Sequence, residues 1–72
     1  MLAAMDRYER ILTLHRIFKT ARPPVSQQHL RYELGCSRAT LYRDVAFLRD
    51  ALGAPVESDP ERHGFVYDRE EA

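Results

Sequence analysis

The apolar residues Leu41, Val45, Leu48 and Leu52 recur at i, i+4, i+7 and i+11. At about 100° per residue this spacing places all four in one narrow stripe of an α-helix. The stripe must face a core, so the opposite side is exposed. That side and its flanks carry Ala39, Thr40, Tyr42, Arg43 and Ala46. Ser37 supplies an N-cap, whereas Gly53 and Pro55 stop the run, so the pattern predicts a helix over about residues 37–52.

Upstream, Asp6 and Glu9 have the spacing of a capping box, and no Gly or Pro interrupts the chain until Pro23, which predicts a first helix over about residues 6–21. Its apolar positions Tyr8, Ile11, Leu12, Leu14, Ile17 and Phe18 cover more than one narrow face. Most are expected in the core, leaving some to solvent, a partner subunit or a further domain. His15 is expected at the core edge or on the surface. Pro23 and Pro24 break this helix, because neither offers an amide hydrogen and the first biases Arg22 toward extended backbone. A short extended link through Val25 follows. Ser26 then caps a second helix, about residues 26–34, in which Leu30 and Leu34 pair at i, i+4. Gly35 ends it in the left-handed conformation, where a residue without Cβ is least strained.

A short helix, a turn of about three residues holding a glycine and a longer amphipathic helix make a helix-turn-helix. Beyond the third helix, Val56-Glu57-Ser58 and Phe65-Val66-Tyr67 predict two strands around the polar loop from Asp59 to Gly64. Phe65 and Tyr67 share one strand face and are expected to pack this hairpin on the helices. The expected fold is mainly α: a three-helix winged helix-turn-helix with a short two-stranded hairpin wing over about residues 55–68, all in one domain, residues 1–72. Arg62 and His63 fall at the wing tip.

Composition narrows the function. A chain of 72 residues makes one small domain, which removes only about 60% of its unfolded surface from water and leaves little room for a large catalytic cleft. With 44% hydrophobic and 31% charged residues it has the balance of a soluble globular chain. Asp6 and Arg7 interrupt the apolar start too soon for a secretory signal, and a cytoplasmic location is expected. Cys36 has no partner for an internal disulfide and is expected to be a small buried hydrophobe. His15, His29, His63 and Cys36 have neither zinc spacing nor a nucleophile and base arrangement, and Glu57, Asp59 and Glu61 suit a solvated turn better than a calcium loop. No catalytic residue, metal or cofactor is therefore expected.

The formal net charge is zero, which weighs against a nucleic-acid partner until its distribution is considered. Residues 1–24 carry +3, residues 25–52 carry +1 and residues 53–72 carry −4, so the helical part is locally positive and the acidity, including Asp68, Glu70 and Glu71, collects at the end. The exposed side of the third helix suits a DNA groove: Arg donates bidentately to guanine, Thr meets a base edge or a thymine methyl, and Tyr reaches phosphate. Arg43, near the centre of that side, is expected to point into the groove. Arg38, on the first turn, suits the phosphate backbone, and Arg49, at the far end, matters least.

RYERILTLHRIF and PPVSQQHLRYELGCSRATLYRDVAFLRDALGAPV, above all Ser37-Arg38 with Thr40 and Tyr42-Arg43-Asp44, resemble the N-terminal winged helix-turn-helix of WYL-domain transcriptional regulators, bacterial proteins grouped with the DeoR-like regulators. The match runs from Arg7 to Tyr67. It implies that Ser37, Arg38, Thr40, Tyr42 and Arg43 face double-stranded DNA. Ala39 on the same helix, Ser26 and Gln27 at the start of the second helix, and Arg62 and His63 on the wing complete the candidate contacts. The chain departs from the family in having only Gly64 ahead of the wing aromatic and in carrying no WYL domain. The N-terminal domain of the biotin-operon repressor is similar too, but lacks the Tyr-Arg-Asp signature. The chain is expected to be either an excised DNA-binding domain or a stand-alone relative without effector control, the first favoured by the charged, linker-like DREEA after the second wing strand. Homodimerisation is expected in the full-length protein, and any small-molecule or nucleic-acid effector only through a further C-terminal domain. Two other readings stay open: a protein-interaction or dimerisation winged helix, and a regulatory domain cut from an enzyme such as a biotin-ligase repressor.

Overall fold

Each helix begins where a polar side chain takes up free amide hydrogens. In the computed structural model, which describes residues 5–68, α1 spans Arg7–Thr20, and the Asp6 carboxylate accepts from the Glu9 amide at 2.8 Å while Glu9 accepts from the Asp6 amide at 3.2 Å. Helix α2 (Gln27–Leu34) is capped by Ser26 and α3 (Arg38–Asp50) by Ser37. Between them Gly35 adopts φ 62°, and the amides of Gly35 and Cys36 both donate to the Arg31 carbonyl. This closes α2 and turns the chain directly into α3.

The sheet has three antiparallel strands in the order β1-β3-β2: β1 is Val25–Ser26, β2 Val56–Asp59 and β3 Gly64–Tyr67. The hairpin of β2 and β3 is the expected wing, one residue longer on each strand because Asp59 pairs with Gly64. Its tip is a 3₁₀ turn, Pro60–Arg62, closed by His63 at φ 50°. Strand β1 departs from expectation. The link after the two prolines is not free but pairs Val25 with Phe65 and Ser26 with Gly64. The Gln27 amide adds a bond of 2.8 Å to the His63 carbonyl, fastening the start of α2 to the wing tip.

The core lies where the three helices meet the sheet. Leu14, Phe18, Leu30, Leu34, Leu41 and Val45 are almost wholly buried, with Ile11, Leu48, Val56, Phe65 and Tyr67 around them. Burying each large side chain contributes about 1.5–3 kcal/mol. Phe65 and Tyr67 hold the wing to the helices as their shared strand face predicts, and the Tyr67 ring tilts against Phe18 with 5.0 Å between centroids.

Two expectations about side chains need correction. Leu52 is 57% exposed rather than part of the core stripe. Helix α3 ends at Asp50, the Leu52 amide bonds back to the Phe47 carbonyl, and Gly53 turns to φ 70°, so the chain leaves the helical path before Leu52 can rejoin the stripe. Cys36 is half-buried at the margin of the core, not fully inside it. Asp44, a charged residue beside the stripe, is buried. Of the apolar residues in α1, Tyr8 and Leu12 stay exposed, while His15 sits on the surface and bonds the Tyr67 hydroxyl at 2.8 Å. Glu70 and Glu71 lie outside the described residues. Among the described residues no helix is long and apolar enough to cross a membrane.

Candidate nucleic-acid interface

Helix α3 turns Leu41, Asp44, Val45 and Leu48 inward, which leaves Arg38, Ala39, Tyr42, Arg43 and Arg49 on its outer side. Ala39 is exposed and adds no bulk, so a partner can approach the helix closely. Two hollows flank this ridge.

On the wing side, a groove of about 380 Å³ is lined by Gln27, Arg38, Tyr42, Asp59, His63 and Phe65 among others. Four candidates from distant parts of the sequence thus meet here: Gln27, Arg38, Tyr42 and His63. The Tyr42 ring stands edge-on to Phe65, with 5.6 Å between centroids, and the Arg38 guanidinium lies 5.4 Å from the Tyr42 ring. This stack joins the third helix to the wing and holds a cation at the rim with its N–H edges free to donate. Gln27 is half-buried, and its Oε1 is buried with no hydrogen-bond partner among the described residues.

On the α1 side, a cleft of about 210 Å³ is lined by Arg7, Arg10, Thr40, Arg43 and Asp44. Thr40 therefore lies on the flank, half-buried, while Arg43 stands at the rim between this cleft and the outer face. Arg10 Nε donates to Asp44 Oδ2 at 2.5 Å, its Nη2 reaches Asp44 Oδ1 at 3.5 Å, and its Nη1 donates to the Met5 carbonyl at 3.1 Å. Donating to Asp44 raises the Arg10 pKa above its ordinary value, and the pair ties α1 to α3.

The remaining candidates have structural duties. Ser26 Oγ accepts from the His29 amide. Ser37 Oγ accepts from the Thr40 amide at 3.2 Å and donates to Thr40 Oγ1 at 3.1 Å. Arg62 is exposed at the wing tip but held by Asp59 at 3.2 Å. Arg49 is similarly occupied by its neighbour Asp50. By contrast, Arg38 and Arg43 have no carboxylate partner among the described residues. Sequence reasoning missed the contribution of α1 to this surface. Arg7 and Arg10 stand 31 and 28 residues ahead of Arg38, where the third helix begins, and the only signal was their i, i+3 spacing on the face next to Ile11 and Leu14.

Three helices with a three-stranded antiparallel sheet and a β-hairpin beside the third helix define a winged helix. A family described as an HTH domain matches residues 10–66, most of the chain, and the chain belongs to that family. It is a DNA-binding helix-turn-helix domain. No curated protein matches the chain.

Proposed function

We propose that the chain is the sequence-reading domain of a bacterial transcriptional regulator of the WYL or DeoR-like kind, with α3 in the major groove of double-stranded DNA. The observation that carries this reading is the outer face of α3. Small Ala39 sits there between two guanidiniums with no carboxylate partner, Arg38 and Arg43, while carboxylates hold Arg10, Arg49 and Arg62. Arg43 reads a base edge, Arg38 and Tyr42 meet the backbone, Ser26, Gln27 and His63 contact flanking phosphates, and exposed Arg62 joins them by exchanging Asp59 for a phosphate. In the full-length protein two such domains pair as a homodimer in the cytoplasm, and a C-terminal domain supplies effector control.

Arg43→Ala is expected to relax base preference at one or two operator positions, at about 1–3 kcal/mol on the cognate site. Arg38→Ala should weaken all sequences alike and reduce the salt slope by roughly one. Binding-site selection and salt titration with each purified variant check both outcomes. If neither variant changes binding, α3 does not read DNA. A protein-interaction role is the second reading, favoured by the apolar hollow that Leu12, Leu48, Leu52 and Pro55 form away from α3's outer face. Salt-insensitive behaviour toward random duplex would favour it.

A further inference from the structure

The cleft between α1 and α3 has a charge balance that its structural role does not explain. Three guanidiniums and one carboxylate line it, and the carboxylate of Asp44 is committed to Arg10. Arg7 and Arg43 therefore border one small hollow without a counter-charge among the described residues.

Arg7 is also positioned rather than loose. Its guanidinium lies 4.1 Å from the centroid of the Phe47 ring, on the side of α3 turned toward α1. Stacking of this kind restrains the side chain but leaves the N–H groups in its plane free to donate. Thr40 offers a further donor, since its Oγ1 accepts from Ser37 and retains its own proton. Two donors of different chemistry beside an unneutralised rim suit a tetrahedral oxyanion. The hollow, at about 210 Å³, has room for a phosphate group.

We infer that this cleft is a phosphate site in which Arg7 and Thr40 hold a phosphodiester of the DNA backbone while Arg43 lends its charge at the rim. The inference rests on the DNA-reading role of α3. It extends the footprint to α1, so that the backbone is gripped on both flanks of α3: by Arg7 on one side and by Arg38 and the wing on the other. Arg10 takes no part in the grip. Its tie to Asp44 sets the distance between the two helices and hence the width of the cleft.

The test is a salt titration of duplex binding by the chain, Arg7→Gln and Arg7→Lys, with binding-site selection alongside. Arg7 is exposed and stacks on the half-buried Phe47 ring from outside the core, so both variants should stay folded, as thermal melts will check. Arg7→Gln should lower affinity about tenfold and cut the slope of log K against log salt by about 0.9, with the selected sequence unchanged. Arg7→Lys should keep the slope but lose part of the affinity, because an ammonium has no planar fork to stack on Phe47. Unchanged affinity and slope in Arg7→Gln, while the parent binds duplex, would overturn the phosphate site and leave the role of α3 intact. No binding by the parent would overturn both. A second arm follows the Arg7 side-chain NMR signal with inorganic phosphate and then duplex. A shift with duplex that phosphate weakly competes for is expected. A saturable phosphate shift that duplex does not displace would identify a free-anion pocket and overturn the backbone assignment.

Discussion

Asp44 is the side chain whose removal should be felt most widely. It is nearly inaccessible, while Arg10 keeps 19% of its side-chain surface in contact with solvent. Breaking a fully buried pair by deleting one partner costs about 3–5 kcal/mol, and screening on the Arg10 side puts Asp44→Asn nearer 2–3 kcal/mol. Urea unfolding would measure this, and pairing Asp44→Leu with Arg10→Met should recover part of the loss. Nothing local in the sequence marks Asp44 as buried. It sits at the edge of the apolar stripe and looks like any surface carboxylate until α1 brings Arg10 against it. Cys36 was easier to place but its degree of burial was not. Its thiol pKa lies above the ordinary value, through desolvation and then the nearby charge of Asp44. The native chain thus holds the thiol proton more tightly than the unfolded chain. That contribution to stability is complete below the ordinary thiol pKa and is lost as pH rises through the higher native value. Iodoacetamide at pH 8 should therefore alkylate the folded chain several-fold more slowly than the urea-unfolded chain, as followed by mass spectrometry.

Among the elements, the helices were legible because their signals are local. Asp6 with Glu9, Ser26, Ser37 and Gly35 each act within a few residues of themselves, and the structure uses all of them as caps or stops. Strand β1 was not legible, since two residues cannot display a period of two and their partners lie at the other end of the domain. The same reason hid the role of Gly64. A Cβ there would lie 2.2 Å from the Val25 carbonyl oxygen and 2.7 Å from its carbon, and these are backbone atoms that cannot rotate aside. Gly64→Ala should cost about 1–3 kcal/mol and part β1 from β3, lowering the melting temperature and speeding amide exchange at Gln27. Gly35 differs, because nothing lies within 4 Å of a Cβ at that position. A residue larger than glycine there meets only its own left-handed backbone, at roughly 1–2 kcal/mol. The candidate site was legible in part for related reasons. Helical period places Arg38, Ala39, Tyr42 and Arg43 outside, but the meeting of Tyr42 with Phe65, and of Arg7 with Phe47, depends on how whole elements dock.

For the molecule as a whole, a domain of this size offers few phosphate contacts. The chain alone should bind random duplex at about 10⁻⁴ to 10⁻⁶ M at physiological salt, weakening steeply as salt rises. Tight selective binding should require two copies on half-sites about one helical turn apart, measurable by fluorescence anisotropy on one-site and two-site duplexes. Nanomolar binding of a demonstrated monomer to one half-site would contradict this. The short pairing of Val25 and Ser26 with β3 also bears on how the domain assembles. Helices and hairpin form from near neighbours in the chain, whereas this pairing joins residues 38 to 40 positions apart, so it is expected to follow them in folding. That closure, with the Gln27 amide on the His63 carbonyl, fastens the start of α2 to the wing, beside the Tyr42–Phe65 contact that joins the wing to the third helix. A chain in which that pairing opens is therefore expected to keep its helical content while losing the shape that fits a groove.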